Sequence, residues 1–176
     1  MMDARDLRPG TAGLIARRAR GVSMIEILTV IAILGILAAL AAPSFTGYMA
    51  RERVKGAAGE AFADLQYARS EAVQRNATIT VTFSGTGYSV ARGATNLKTV
   101  TLGNGNTVTS GTAVVAVFDP VRATASITDG GAAAVPAAVV FANSRTGGTL
   151  RVTLNRLGRS EICSPSGAIK GYPSCA

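Results

Sequence analysis

A single carboxylate stands inside an otherwise apolar run, and it is the residue of this chain that most needs a chemical explanation. From Val22 to Ala42 the sequence reads VSMIEILTVIAILGILAALAA, where Ser23 and Thr29 are the only polar companions of Glu26. A charge at the centre of a bilayer costs about 2.5–3.5 kcal/mol, less near an end, so Glu26 predicts a partner. The second chemical signal is a pair of cysteines. Cys163 and Cys175 lie near the C-terminus with Pro165, Gly167, Gly171 and Pro173 between them. That spacing suits a disulfide-closed loop, with two free thiols as the alternative. Closed, such a loop would stabilise the fold by about 3 kcal/mol through chain entropy and would call for an oxidising compartment.

The remaining constellations argue against catalysis. Without any His, two Cys cannot complete a tetrahedral zinc site. No Gly-rich loop is followed by Lys-Ser/Thr, and no Ser sits in a nucleophile-elbow pattern. Gly103-Asn104-Gly105-Asn106 reads as a turn; Asp119 and Asp129 read as turn formers, with acid/base or calcium work as the alternative. An enzyme is the poorest reading, and no cofactor or metal is expected.

Charge is less decisive. Of the formal +8, Arg5, Arg8, Arg17, Arg18 and Arg20 against Asp3 and Asp6 place +3 before Gly21, leaving +5 spread thinly over the rest. Arg145, Arg151, Arg156, Arg159 and Lys170, with Glu161 counted, give the C-terminal region a net +4. A patch of that kind would hold phosphates in a salt-sensitive, sequence-independent way; the alternative is a solvated basic edge.

The elements that must position these residues follow from periodicity. A chain of 176 residues suffices for one domain plus one extra element. As a helix, Val22 to Ala42 would span roughly 30 Å, the thickness of a bilayer core. Arg17, Arg18 and Arg20 precede it, so the positive-inside rule leaves the N-terminus in the cytoplasm and sends the rest to the periplasm. A cleaved signal peptide would be shorter and uncharged, and an ordinary single-span anchor has no use for Glu26. Pro43 predicts a kink or local melting. Beyond it Tyr48, Val54, Ala58, Ala61, Phe62, Leu65, Ala68, Ala72 and Val73 form an amphipathic stripe. Arg51, Glu52, Arg53, Lys55, Glu60, Asp64, Arg69 and Glu71 lie mainly on the solvent face, and the helix stops near Asn76.

The period then drops to two. Strands are predicted at Thr78–Phe83, Tyr88–Ala91, Leu97–Leu102, Thr112–Phe118, Val139–Ala142, Thr149–Leu154 and Glu161–Cys163, forming an antiparallel sheet. Thr128 to Ala138, rich in Ala and Gly, is predicted to be a mobile loop.

The run Gly21-Val22-Ser23-Met24-Ile25-Glu26-Ile27-Leu28 resembles the class III signal of type IV prepilins. The resemblance implies that a prepilin peptidase cuts between Gly21 and Val22 and that Val22, where the family usually has Phe, becomes the N-methylated terminus. It also implies that Glu26 neutralises the N-terminal amine of a neighbouring subunit, and that Pro43 ends the membrane half of the helix. Val139-Val140-Phe141 through Gly147 to Val152, then Gly158-Arg159 and Cys163, is similar to the GspH/FimT-type minor pilins and pseudopilins.

The fold so implied is α+β, a long N-terminal α-helix packed on a small antiparallel β-sheet head. Its divisions are a cleaved leader over 1–21, a transmembrane half over 22–43, an amphipathic half over 44–76 and a periplasmic β-rich head over 77–176 closed by a disulfide loop. Implied partners are other pilin or pseudopilin subunits, the prepilin peptidase, the inner membrane and an inner-membrane assembly platform. Some FimT-type pilins bind DNA through a Gly-Arg-x-Arg-x-Cys motif. Here Gly158-Arg159-Ser160-Glu161-Ile162-Cys163 keeps Arg159 but has Glu161 at the second arginine position, where a carboxylate repels phosphate. Three readings follow in order: a filament subunit of a type II secretion system or type IV pilus, a DNA-binding minor pilin, and an unrelated single-span periplasmic protein.

Overall fold

A computed structural model describes residues 21–108, 114–129, 132–133 and 137–175. One helix, α1 (Met24–Arg75), is followed by strands β1 (Ile79–Ser84), β2 (Gly87–Arg92), β3 (Thr95–Thr101), β4 (Asn106–Val108), β5 (Val114–Phe118), β6 (Ala125–Asp129), β7 (Ala132–Ala133), β8 (Ala137–Asn143), β9 (Thr146–Leu154) and β10 (Ser160–Cys163). The chain divides into two compact units, residues 1–40 and 41–176.

Within the second unit, α1 buries a stripe of small residues. Ala50, Val54, Ala57, Ala58, Ala61, Leu65, Ala68 and Ala72 recur at three- and four-residue steps and are all buried. Alanine keeps helix propensity high and leaves room for bulkier side chains from the strands. The helix ends because Asn76 enters the left-handed region at φ 47°. Ala77 N–H then donates to Ala72 C=O at 3.1 Å and Asn76 N–H to Val73 C=O at 3.4 Å, satisfying carbonyls the helix would leave open.

The strands form two antiparallel sheets. Six run in the order β3-β2-β1-β5-β6-β7 and four in the order β10-β9-β8-β4. Alternation decides which face is inside: Ile79, Val81 and Phe83 of β1, Val114, Ala116 and Phe118 of β5, and Leu150, Val152 and Leu154 of β9 are buried, while residues between them are not. These side chains join Phe141, Ile127 and the helix alanines in one core.

Several expectations need correction. Position 43 lies inside α1, so the helix is not melted there; one missing donor among the good helix formers Ala38–Ala42 does not break the ladder. Tyr48 and Val73, assigned to the stripe, are exposed. Asp64 and Glu71, assigned to solvent, are buried. Asn106 is not turn but the first residue of β4. The turn is carried by Asn104 and Gly105, at φ 59° and 81°. The stretch Thr128 to Ala138 contains the end of β6, all of β7 and the start of β8; residues 130, 131 and 134–136 lie outside the described residues. Small side chains hid these strands, because alternation is unreadable when both faces carry Ala.

Asp64 can be buried because two donor groups meet it with three hydrogen bonds. Tyr88 Oη donates to its Oδ2 at 2.6 Å, and Lys98 Nζ donates to Oδ1 at 2.9 Å and Oδ2 at 2.7 Å. Lys98 also reaches Glu60 one helical turn earlier, at 3.1 Å. The group ties α1 to β2 and β3. Glu71 is paired with Arg75.

Burial, and next the hydrogen bond to Asp64, keep Tyr88 protonated well above the ordinary tyrosine range. The hydrogen bond to Asp64 likewise holds Lys98 charged above the ordinary lysine range. Both shifts are upward, so their stabilisation is complete below about pH 10, the value of an unfolded tyrosine, and falls as pH rises beyond it. Tyr88→Phe is therefore expected to lower stability by about 1–3 kcal/mol at neutral pH and to soften the alkaline loss; denaturant melts in detergent micelles at pH 7 and pH 11 check both.

Candidate functional site

The described part of the first unit is helical from Met24 onward. Every residue from Gly21 to Ala42 is exposed, and Met24–Ala42 is long and apolar enough to cross a membrane. Ser23 sets its start, since Ile27 N–H donates to Ser23 C=O at 3.2 Å, the bond expected of an N-cap residue. Glu26 is then the third residue of the first turn, where the helix dipole favours a negative charge by about 0.3–1 kcal/mol. That offsets only part of the cost of a carboxylate in lipid. Among the described residues Glu26 has no ion-pair partner; only its carbonyl is engaged, by Thr29 Oγ1 at 2.9 Å. The S-x-x-E spacing of Ser23 and Glu26 was a readable helix-start signal that the sequence reading missed.

Val22, Glu26 and Val30 line one shallow groove together with Ile27 and Ile31. A terminal amine at Val22 would thus share a helix face with the carboxylate. Of Pro43, the structure shows only that it lies within α1.

In the second unit the C-terminal segment folds back and is held twice. Cys163 and Cys175 are joined by a disulfide with Cα atoms 5.0 Å apart, and Ile169, midway along the loop, is 1% exposed. Gly148 makes the seat for Ile169: a Cβ there would come within 2.8 Å of Ile169 Cγ1. Ser164 N–H donates to Pro173 C=O at 2.8 Å, and Ser164 pairs in parallel with Ser174.

The basic residues do not converge on one patch. Arg151 and Arg159 line the same groove of about 660 Å³, with Phe62, Glu161, Ile162 and the disulfide. Arg156 lines a different one with Arg122 and Leu157. Arg145 sits in the β8–β9 turn, at the far end of β9 from Arg156 and Arg159, roughly 30 Å along the strand. Lys170 is exposed beside Ile169. Arg159 is placed by a tight loop in which Asn155 Oδ1 accepts the N–H groups of Leu157 and Arg159, each at 3.0 Å. Gly158 in that loop has φ +70° and lies against Arg69 and the Ala123 carbonyl, so a side chain there would be strained.

No catalytic constellation is present among the described residues. Asp119 and Asp129 lie at opposite ends of the β5–β6 hairpin. Asp119 accepts from Arg122 N–H at 2.8 Å and Val121 N–H at 2.9 Å, bonds that hold its carboxyl below the usual carboxylate range. No group of three metal-ligating side chains occurs among the described residues.

Residues 57–159, the buried half of α1 through the β9–β10 loop, match the family described as type II transport protein GspH. The chain belongs to the GspH family. Residues 16–42 match the prokaryotic N-terminal methylation motif, and the exposed apolar helix carrying that motif suggests membrane anchoring. Among solved structures, the type IV minor pilin FimU of Pseudomonas aeruginosa is similar, with 25% identity over 73% of this chain and 99% of that one and a TM-score of 0.45. None of the curated proteins matches this GspH-family chain. The family is one of minor pilins and pseudopilins, structural subunits that assemble with other pilin-type subunits.

The double fastening of the C-terminal loop gives a test. Ile169→Ala is expected to cost about 2–5 kcal/mol and disulfide reduction about 3 kcal/mol. Because both hold one loop, their combined cost in denaturant titrations should differ from the sum of the two.

Proposed function

We propose that this chain is a minor pilin or pseudopilin that is drawn from the inner membrane into the filament of a type II secretion system or type IV pilus, supporting protein secretion or pilus biogenesis. Membership of a family of type II transport proteins favours the secretion filament. The observation that carries the reading is one chain holding both an exposed apolar helix with a lone carboxylate and a head of the GspH family.

In this reading a prepilin peptidase cuts between Gly21 and Val22, removing the leader 1–21, and Val22 is N-methylated. Residues 22–43 cross the inner membrane with the N-terminus cytoplasmic, 44–76 cap the head, and the head from residue 77 lies in the periplasm, where the Cys163–Cys175 disulfide is stable. Glu26 then serves as a register key. Alone in lipid its charge is unfavourable; beside the amine of a neighbouring subunit in a bundle of low dielectric it is attracted, and only one axial offset brings the two together. The assembly platform in the inner membrane is the expected site of that exchange. The chain itself carries out no chemical step.

Duplex DNA has less support as a partner. The five basic side chains suggested for it are divided between at least two grooves and both ends of β9, and Glu161 stands beside Arg159 in the groove they share with Arg151. Phosphates would meet attraction and repulsion together.

Mass spectrometry of the protein extracted from membranes is expected to find a chain beginning at N-methyl-Val22. A chain retaining residues 1–21 would remove this proposal and favour a plain anchor.

A further inference from the structure

β10 ends the four-stranded sheet, and among the described residues no strand pairs with its outer side. In its register with β9, Glu161 faces Thr153 and Cys163 faces Arg151. Asn155 N–H donates to Arg159 C=O at 3.0 Å just before the strand begins. Strand alternation then makes Glu161 and Cys163 the residues bonded to β9 and turns the N–H and C=O groups of Ser160 and Ile162 outward. Ser164 continues that outward set, and there the chain's own tail has begun to fill the edge: Ser164 pairs in parallel with Ser174 and donates to Pro173 C=O. Among the described residues the tail makes no further pairing along β10. Alongside Ser160 and Ile162 lies the groove of about 660 Å³, walled by Phe62 of α1 and roofed by Pro173, Ser174 and Cys175. The family match ends at residue 159, so this edge and its roof lie beyond it.

The groove also has a charge preference. Arg151 projects from β9 on the same face as Cys163, and its Nε is buried without a hydrogen-bond partner. Leaving such a donor unpaired is costly, and a carboxylate is its best complement. Glu161, exposed on the rim, does not form an ion pair with it among the described residues and repels an acid set anywhere but over Arg151.

We propose that the open edge of β10 is a docking site for an extended segment of another pilin-type subunit, which adds a strand beside Ser160–Ile162 and sets an Asp or Glu against Arg151. Main-chain hydrogen bonds would give the contact its direction, and the Arg151 side chain would select its register. So short an edge, two residues' worth of open groups, binds weakly by itself. In a filament the subunits are already held together by their helices, and high effective concentration makes a weak contact sufficient. This rests on the filament reading given above.

Amide hydrogen exchange on the full-length chain tests it, comparing detergent-solubilised subunits with assembled filaments. The Ser160 and Ile162 amides should exchange at least tenfold more slowly in filaments, and Arg151→Gln should remove most of that protection while leaving the disulfide and the protection of β9 intact. Ile162→Pro, which deletes an outward donor at an edge position where proline is tolerated, should enter filaments several-fold less well than the unaltered chain. Filaments that contain the chain with Ser160 and Ile162 exchanging as in detergent overturn this proposal and leave the filament reading standing. Protection of these amides by duplex DNA but not by assembly also overturns it. A chain never recovered in filaments overturns both.

Discussion

An isolated carboxylate in an apolar helix calls for a positive charge, and no cation among the described residues pairs with Glu26. The helix dipole stands behind Glu26, but it offsets only part of the cost of a charge in a hydrocarbon interior. The nineteen-residue apolar stretch Met24–Ala42 is likewise exposed along its length among the described residues. In the proposed filament both demands are met by other molecules: lipid covers the apolar surface, and a neighbouring subunit would bring apolar surface and a terminal amine together, so the same segment would suit a membrane as a store and a helical bundle as a destination.

The second half of the helix shows the opposite solution within one continuous element. From Ala50 to Ala72 the buried stripe is nearly all alanine, so the strands supply the bulk of the core through Phe83, Phe118, Phe141, Ile79 and Leu150. Such a helix would slide easily on its sheet. Polar contacts prevent this: Asp64 is gripped by Tyr88 and Lys98, Gln66 Nε2 donates to Ser160 Oγ at 2.8 Å, Arg69 Nε donates to Ala123 C=O at 3.3 Å, and Asn106 Nδ2 donates to Arg53 C=O at 3.2 Å. The Gln66 contact reaches β10 itself, so the edge strand is fixed from its inner side while its outer side stays open.

Much of this was legible in the sequence, because long periodic signals report burial directly. The extent of α1, its stop at Asn76, and the strands containing Phe83, Val90, Phe118, Phe141 and Val152 all follow from runs in which large apolar side chains alternate or recur. What escaped has a common cause. The strand at Ala132–Ala133 carries side chains too small to reveal which face is inside, the one at Ala125–Asp129 has a single large apolar residue, Ile127, and so shows no period, and β4 begins in an Asn-Gly-Asn run whose composition reads as turn. Asp64 looked like a solvent residue because its partners, Tyr88 and Lys98, are 24 and 34 positions away. The basic residues of the C-terminal third looked like a patch because they are close in sequence, whereas β9 separates Arg145, just before it, from Arg156, just after it. The seat of Ile169 on Gly148 had no sequence signal at all beyond a glycine in a strand.

The account turns on the charge of Glu26 rather than its size, and Glu26→Gln separates the two with almost no change of shape. Co-expressed with the unaltered chain and measured by the share of each recovered in sheared filaments, the Gln variant should be processed at Val22 and stay in the membrane, with incorporation at least tenfold below the unaltered chain. Equal recovery of the two in filaments would contradict the pairing of this carboxylate with a neighbour's amine.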